Sequence, residues 1–302
     1  MSLEEKMQNL IINEDKIKNY FFRRESDEFL KIKSPDTFIE STIEYFNGEA
    51  KSGAYLPFDK AENFRLHLGQ VTCWSGYSGS GKSMLLSYVT LKLIENYKVL
   101  ICSFEMSCRS LLARYVRQSV GTHEPTESAI INFCNDATGQ LFLYDQLGST
   151  TPTAVLSVIY YAAEHLGCQH FVVDSLMKCS INEDDYNGQK KFVDQLCIAA
   201  RDKNIHIHLV AHSRKTVDET THRPGKFDVA GSATITNLVD NSVSIYRNKK
   251  KEKDIIEKNL SELDAKGIPD AYMSVNKQRH FEWEGTIPLW FNIKSLRYKD
   301  SP

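Results

Sequence analysis

The sequence predicts an α/β fold: a mainly parallel twisted sheet flanked by helices, with antiparallel edge strands and a short helical segment ahead of it. Three observations carry that expectation. Short β-type apolar runs alternate with helix-length stretches from residue 71 to residue 211, the pattern of strands joined by helical crossovers. A glycine-rich stretch, Gly76-Tyr77-Ser78-Gly79-Ser80-Gly81-Lys82-Ser83, lies between the first run and the first helix. Beyond residue 243 the runs come without long helices between them, which reads as antiparallel additions at a sheet edge.

The elements follow in order. Residues 3–24 set Leu3, Met7, Leu10, Ile11, Ile17, Tyr20 and Phe21 at helical spacing, as one or two amphipathic helices with a break near Asn13. Such a stripe is most often core, but ahead of the main domain it also suits packing on a neighbouring subunit. Ser34-Pro35 reads as an N-cap followed by proline at the first helical position, and Gly48 as a stop. A helix over 35–47 is then expected to bury Phe38, Ile39, Thr42, Ile43 and Phe46. This divides the chain into a helical linker or oligomerisation segment, 1–50, and a main domain, 51–302, entered through a polar approach at 49–69. Within the main domain, strands are expected at 71–75, 99–104, 141–145, 171–174 and 205–211. Helices are expected from Met84 to Ile94 and over 108–120, 125–136, 151–166 and 188–203. Later strands fall at 243–246, 271–277 and 287–291, and the charged stretch 247–267 between them reads as a solvated insertion.

Composition narrows the function classes. A chain of 302 residues accommodates one large domain and an accessory segment. The formal net charge of −2 excludes a globally basic nucleic-acid binder, so any DNA contact must come from a local patch. No apolar run reaches the ~18 residues of a membrane span, and the N-terminus lacks a signal-peptide core. The seven cysteines form no C-x-x-C pair, which excludes a zinc ribbon. Read as buried thiols, they fit a reducing cytoplasm.

The chemistry starts at the glycine-rich stretch, which fits G-x-x-x-x-G-K-[ST], the phosphate-binding loop. Its glycines let successive N–H groups turn inward, and with the helix beginning at Met84 they form an anion site. Lys82 would reach the β- and γ-phosphates and the Ser83 hydroxyl would bind Mg²⁺. Phe171-Val172-Val173-Asp174 is an apolar strand ending in aspartate, the Walker B pattern, with Asp174 on the Mg²⁺ shell or merely capping a turn. Glu105, in Ser103-Phe104-Glu105-Met106-Ser107, could orient water for in-line attack. It could equally be a glutamate favoured by a helix N-terminus. His212 ends the strand at 205–211, where a γ-phosphate contact competes with a structural role. The polar stretch after it carries Arg214, Lys215, Arg223 and Lys226, cations that could grip a phosphate backbone. Lys277 and Arg279 lie two residues apart on a strand and share a face; a phosphate clamp and a pair of surface cations both fit.

Taken together, G-Y-S-G-S-G-K-S, S-F-E-M-S, V-V-D-S, A-H-S-R-K, G-S-A-T-I-T-N, I-Y-R-N and N-K-Q-R stand in an order that resembles the hexameric replicative helicases of the DnaB type. The likeness is greatest to the helicase half of phage primase-helicases and of Twinkle, and covers about residues 52–295. It implies a RecA-like P-loop NTPase core. It also implies an ATP-driven or other NTP-driven, Mg²⁺-dependent ring, a homo-oligomer of hexameric type, moving on single-stranded DNA in a phage-infected or prokaryotic cytoplasm.

The resemblance also implies roles. Lys82 and Ser83 bind phosphate and Mg²⁺, Glu105 is the general base, Asp174 stands on the Mg²⁺ side, and His212 is the γ-phosphate sensor. Arg279 is an arginine finger with Lys277 as its companion, both acting on the neighbouring subunit's nucleotide. Arg247 and Phe291 sandwich the base. The loops at 178–190 and 213–233, with Lys178, Arg214, Lys215 and Lys226, match channel loops that bind DNA, and Asn237 closes the adjoining motif. No primase module, zinc-binding domain or collar precedes the motor motifs, so primase activity is not expected and a separate primase or polymerase would be a partner. Two alternatives remain: a RecA-like DNA-binding ATPase of recombination type that does not unwind, and an almost inert nucleotide-gated assembly module.

Overall fold

The computed structural model describes residues 32–47, 53–179, 185–214, 222–225, 228, 233–257 and 259–302. The expected helices over 3–24, together with Lys215 and Lys226, lie outside them. The chain divides into two units, Met1–Ser52 and Gly53–Pro302.

In the first unit a 3-10 turn, Pro35–Phe38, runs into helix α1, Ile39–Asn47. Pro35 takes the first position, as expected, but the Ser34 hydroxyl bonds the Asp36 carboxylate instead of capping a backbone N–H. The expected burial of this face is corrected. Phe38, Ile39, Ile43 and Phe46 are 50, 55, 53 and 81% exposed, and Thr42 is exposed as well.

The second unit begins with a small antiparallel pair, β1 (Ala54–Tyr55) with β2 (Arg65–Leu66). The expected polar approach is therefore wrong. Leu56, Phe58, Ala61, Phe64 and Leu66 from this stretch are buried in the core, spaced among polar neighbours that hide the pattern. The main sheet then builds from β3 (Val71–Ser75), helix α2 (Lys82–Leu93), β4 (Val99–Ser103), α3 (Cys108–Val120), α4 (Glu127–Ala137) and β5 (Leu141–Leu143). It continues with α5 (Pro152–Tyr161), which ends in a π-turn over Ala162–Leu166, then β6 (His170–Asp174), α6 (Tyr186–Asp202) and β7 (His206–Val210). Helix α7 (Ala233–Leu238) leads into β8 (Asn241–Arg247), α8 (Lys249–Ile256), α9 (Glu262–Ala265), β9 (Ala271–Gln278), β10 (Gly285–Asn292) and β11 (Arg297–Lys299).

Among the described residues the sheet has nine strands in the order β11-β10-β9-β8-β3-β7-β6-β4-β5. Every residue of β3, β4, β6 and β7 is buried, as expected for central strands covered on both faces, including the polar Thr72, His170, His206 and His208. Successive side chains point to opposite faces. Val71 and Cys73 enter one core with Phe171, Val173, Ile207 and Leu209, while Trp74 enters the other with Val172 and Val210. One expectation needs adjustment: β8 is parallel to β3 and only β9, β10 and β11 run antiparallel to their neighbours. All seven cysteines are free thiols, five of them buried.

Candidate nucleotide site

The carboxyl ends of β3, β4, β6 and β7 converge. The loop between β3 and α2 wraps where only glycine fits. Gly76 has φ 155°, and a Cβ there would lie 2.4 Å from the Ile245 carbonyl oxygen. Gly81 has φ 89°, and its Cβ would lie 2.7 Å from the Tyr298 hydroxyl. With no side chain in the way, the loop closes tightly on itself and on β11. The Lys82 ammonium folds into this loop and donates to the Gly76 and Tyr77 carbonyls, each at 2.9 Å. Burial pushes its pKa down to about 8, against the opposing pull of the Asp174 and Glu105 carboxylates. A phosphate would replace carbonyl dipoles with full negative charge and restore the cation.

The pairing of β4 with β6 sets Ser103 opposite Asp174, and the Phe104 N–H donates to the Asp174 carbonyl at 2.8 Å. This register brings the two carboxylates of the site together. Asp174 is buried, and burial raises its pKa, opposed by a hydrogen bond from the Ser83 hydroxyl. Hydroxyl and carboxylate form a hard-oxygen pair of the kind magnesium uses, with phosphate oxygens and water completing the shell. Among the described residues, no cluster of three or more His, Cys, Asp or Glu could hold a metal alone. Glu105 is exposed toward the cavity. Its Oε1 accepts from the Ser175 hydroxyl at 3.1 Å and lies 3.9 Å from His212 Nε2. Behind His212, the Ser213 N–H donates to the Gly76 carbonyl at 2.9 Å, tying the end of β7 to the phosphate loop.

A cavity of about 810 Å³ joins these groups, within the range of about 300–1,000 Å³ usual for ligand sites. Lys82, Ser83, Asp174, Glu105 and His212 line it. Arg247 and Phe291, expected at the base, line it as well. The Phe291 ring lies 4.9 Å from Tyr298. Arg247 donates from Nε to Glu252 at 2.5 Å.

Sequence reasoning missed Arg114. Its guanidinium lines the cavity beside Asp174, burial lowers its pKa, and its Nη1 is buried without a hydrogen-bond partner. It sits mid-helix in α3 with no motif around it, so nothing in the linear pattern marks it.

Lys277 and Arg279 do not line this cavity. Lys277 donates to the Thr236, Asn237 and Val239 carbonyls at 2.8, 3.2 and 2.7 Å. Arg279 donates to the Asn237 and Leu238 carbonyls at 3.0 Å each and pairs with Asp240 at 3.1 Å. The shared face expected of these two cations is present, and it clamps the end of α7. Asn237 is thereby held through its backbone with its side chain exposed. Lys178 lies in the 3-10 turn after β6, and Arg214 is exposed just past His212. Arg223 stacks on Tyr272 at 3.7 Å, back against the sheet.

A model of the AAA domain family matches residues 63–218, more than half of the chain. The chain belongs to that family. No curated protein sequence matches it. Solved structures extend the likeness beyond the AAA domain match. A DnaB-like replicative helicase, described with its interactions with primase, superposes with a TM-score of 0.73 at 15% identity over 94% of this chain and 73% of that one. A solved ATPase domain gives 0.73 at 14% identity over 89% of this chain and 99% of its own. At these identities the likeness establishes the fold: the AAA domain lies in a mostly parallel sheet of the RecA-like helicase ATPase type. No described helix is long and apolar enough to cross a membrane.

Proposed function

We propose that the chain is an NTP-hydrolysing motor of the replicative helicase type, which assembles as a ring and moves on single-stranded DNA to unwind duplex. The observation that carries the reading is the division of its cations. Lys82, Arg114 and Arg247 line the cavity, whereas Lys277 and Arg279 lie outside it. A site so divided gains its remaining positive charge from a second copy. The DnaB-like helicase fold supports the same arrangement.

In the proposed reaction Glu105 takes the proton of the attacking water and holds that water in line. Lys82 stabilises charge on the β- and γ-phosphates, and Arg114 lies close enough to the metal-side carboxylate to share that task. His212, beside Glu105, reports loss of the γ-phosphate to the strand end that leads toward Arg214. Mg²⁺, which Ser83 and Asp174 would hold, supplies charge neutralisation of the triphosphate. Arg279 of a neighbouring copy leaves the α7 carbonyls and meets charge developing on the transferred group. Lys178, Arg214, Lys215, Lys226 and Asn237 serve the DNA channel, in a cytoplasmic setting with a separate primase or polymerase.

The test measures ATP turnover with and without single-stranded DNA, alongside the mass of the assembly in nucleotide. We expect DNA-stimulated turnover in an oligomer, reduced about 10²–10⁴-fold in Glu105→Gln with binding retained. Strand exchange without unwinding would instead place the chain among recombination ATPases. Absence of turnover under all conditions would remove the motor reading.

A further inference from the structure

We propose that Asp240 is a positioning residue: its buried carboxylate holds Arg279 against the end of α7, and that hold sets how strongly turnover depends on DNA. The inference rests on the motor reading above and adds the restraint on its trans cation.

The backbone fixes Asp240 from both sides. Its N–H donates to the Val71 carbonyl at 3.0 Å, and its carbonyl accepts from the Arg279 N–H at 2.9 Å. Oδ2 of its side chain accepts from the Val71 N–H at 3.0 Å. That leaves Oδ1 to carry the ion pairing of a carboxylate only 3% exposed, and a buried charge needs a partner. Three basic side chains face this one oxygen. Arg279 Nη1 lies at 3.1 Å, Arg201 Nη2 at 3.7 Å and His280 Nε2 at 3.9 Å. Arg279 is nearest, and Arg201 competes with it for the same charge.

The rest of the Arg279 guanidinium grips α7. Its Nη2 donates to the Asn237 and Leu238 carbonyls, and Lys277 takes those of Thr236, Asn237 and Val239. The last carbonyls of a helix lack partners within it, and cations placed there also answer its dipole. Helix α7 is therefore closed by the same two cations that the motor sends to a neighbouring copy. One guanidinium cannot hold these carbonyls and another copy's triphosphate together. The stretch 213–233, where the DNA contacts are proposed, runs directly into α7, and Asn237 lies on it. DNA gripped there pulls on α7 and loosens the carbonyl contacts. Without DNA, the Asp240 charge and the α7 carbonyls together keep Arg279 in its own chain. With DNA saturating, Arg279 is already engaged, and weakening the restraint gains little, because a nearly complete shift has little further to go.

The test is ATP turnover by the full chain across a titration of ATP, with and without a saturating single-stranded oligonucleotide. Asp240→Asn keeps an oxygen for the Val71 N–H and removes the charge. We expect its DNA-free turnover to rise about fivefold at unchanged KM, the worth of one half-exposed ion pair. Its DNA-saturated turnover should stay within about twofold of the unmodified chain, so the stimulation by DNA shrinks. Arg201→Gln changes a side chain that is 53% exposed and removes the competitor for Oδ1. Its DNA-free turnover should fall by about twofold, the opposite sign from its neighbour. A merely structural role lowers turnover in Asp240→Asn with and without DNA alike. DNA-free turnover that falls or stays level in Asp240→Asn overturns the proposal, and so does a rise or no change in Arg201→Gln. Should Asp240→Asn fail to fold, Arg201→Gln decides alone. If the unmodified chain turns over no ATP in either condition, the motor reading fails and takes this one with it. DNA-stimulated turnover that both variants leave unaltered overturns this inference and spares the motor.

Discussion

The parallel half of the sheet, β3 to β7, and the half running from β8 through the antiparallel strands to β11 contribute differently to one cavity. The parallel half supplies the phosphate end from short contiguous motifs, because each strand terminates at the same edge and a few residues beyond each end suffice to meet. The AAA domain match at 63–218 falls within this half. The other half lines the same cavity with Arg247, Glu252, Phe291 and Tyr298, which come from four separate elements. It also carries Lys277 and Arg279, which bond to the end of α7 and Asp240 and do not line the cavity. On the proposed function this is a division of labour: one half would hold the triphosphate within a single chain, and the other would lend cations to turnover in a neighbouring copy.

The strongest challenge to that division is Arg279→Ala. Nucleotide binding should persist while DNA-stimulated turnover falls by about 10³–10⁵, the usual worth of an arginine supplied in trans. Because Arg279 also caps α7 and pairs with Asp240, Arg279→Lys serves as the control that keeps a cation there. Near-normal turnover in Arg279→Ala would erase the distinction between the halves.

A second measurement sharpens the phosphate end. Lys82 must be protonated to meet phosphate, and its pKa in the empty site is about 8. Nucleotide affinity should be level below that pH and weaken above it, by up to about tenfold per pH unit. Affinity that stays constant from pH 7 to pH 9.5 would show that the buried ammonium is not the phosphate partner.

A third measurement concerns stability and the parallel half of the sheet. His170, His206 and His208 stack at the starts of β6 and β7, all buried. Trp74 Nε1 only donates, so His208 Nδ1 accepts from it at 3.2 Å and His208 Nε2 donates to His170 Nδ1 at 3.1 Å. His206 Nδ1 donates to the His67 carbonyl, and its Nε2 accepts from the Thr72 hydroxyl at 2.9 Å. Every imidazole in this network is neutral. Burial lowers all three pKa values, that of His206 to about 4. The unfolded histidines take up protons near pH 6.5 and the folded ones do not, so stability is intact above about 6.5 and falls as pH drops toward 4. The slope is about 1.4 kcal/mol per pH unit for each histidine. Urea midpoints at pH 7, 6 and 5 would measure it, and His170→Phe should flatten it. A slope unchanged in that variant would mean that carboxylates elsewhere govern acid unfolding.

How much was legible follows from where each group sits. Glu105 and His212 could be singled out because each ends an apolar strand, and the structure brings them to 3.9 Å. Arg114 could not, since a cation in mid-helix resembles any solvated one until burial is known. The stretch 247–267, expected to be a solvated insertion, misled for the opposite reason: Lys251 looks like one more surface lysine among its charged neighbours, yet it is buried and donates to the Asp270 carboxylate at 2.6 Å. The stretch 49–69 misled because its buried residues are spread among polar ones.

From the amino-acid order alone came the alternating fold, the phosphate loop and the strand-end acids, because backbone geometry and strand polarity need only neighbours in sequence. Which side chains line the cavity beyond the motifs, and where Lys277 and Arg279 rest, were decided by the packing of elements remote in the chain. Contacts of that kind depend on burial and register, and neither is written in any local run of residues.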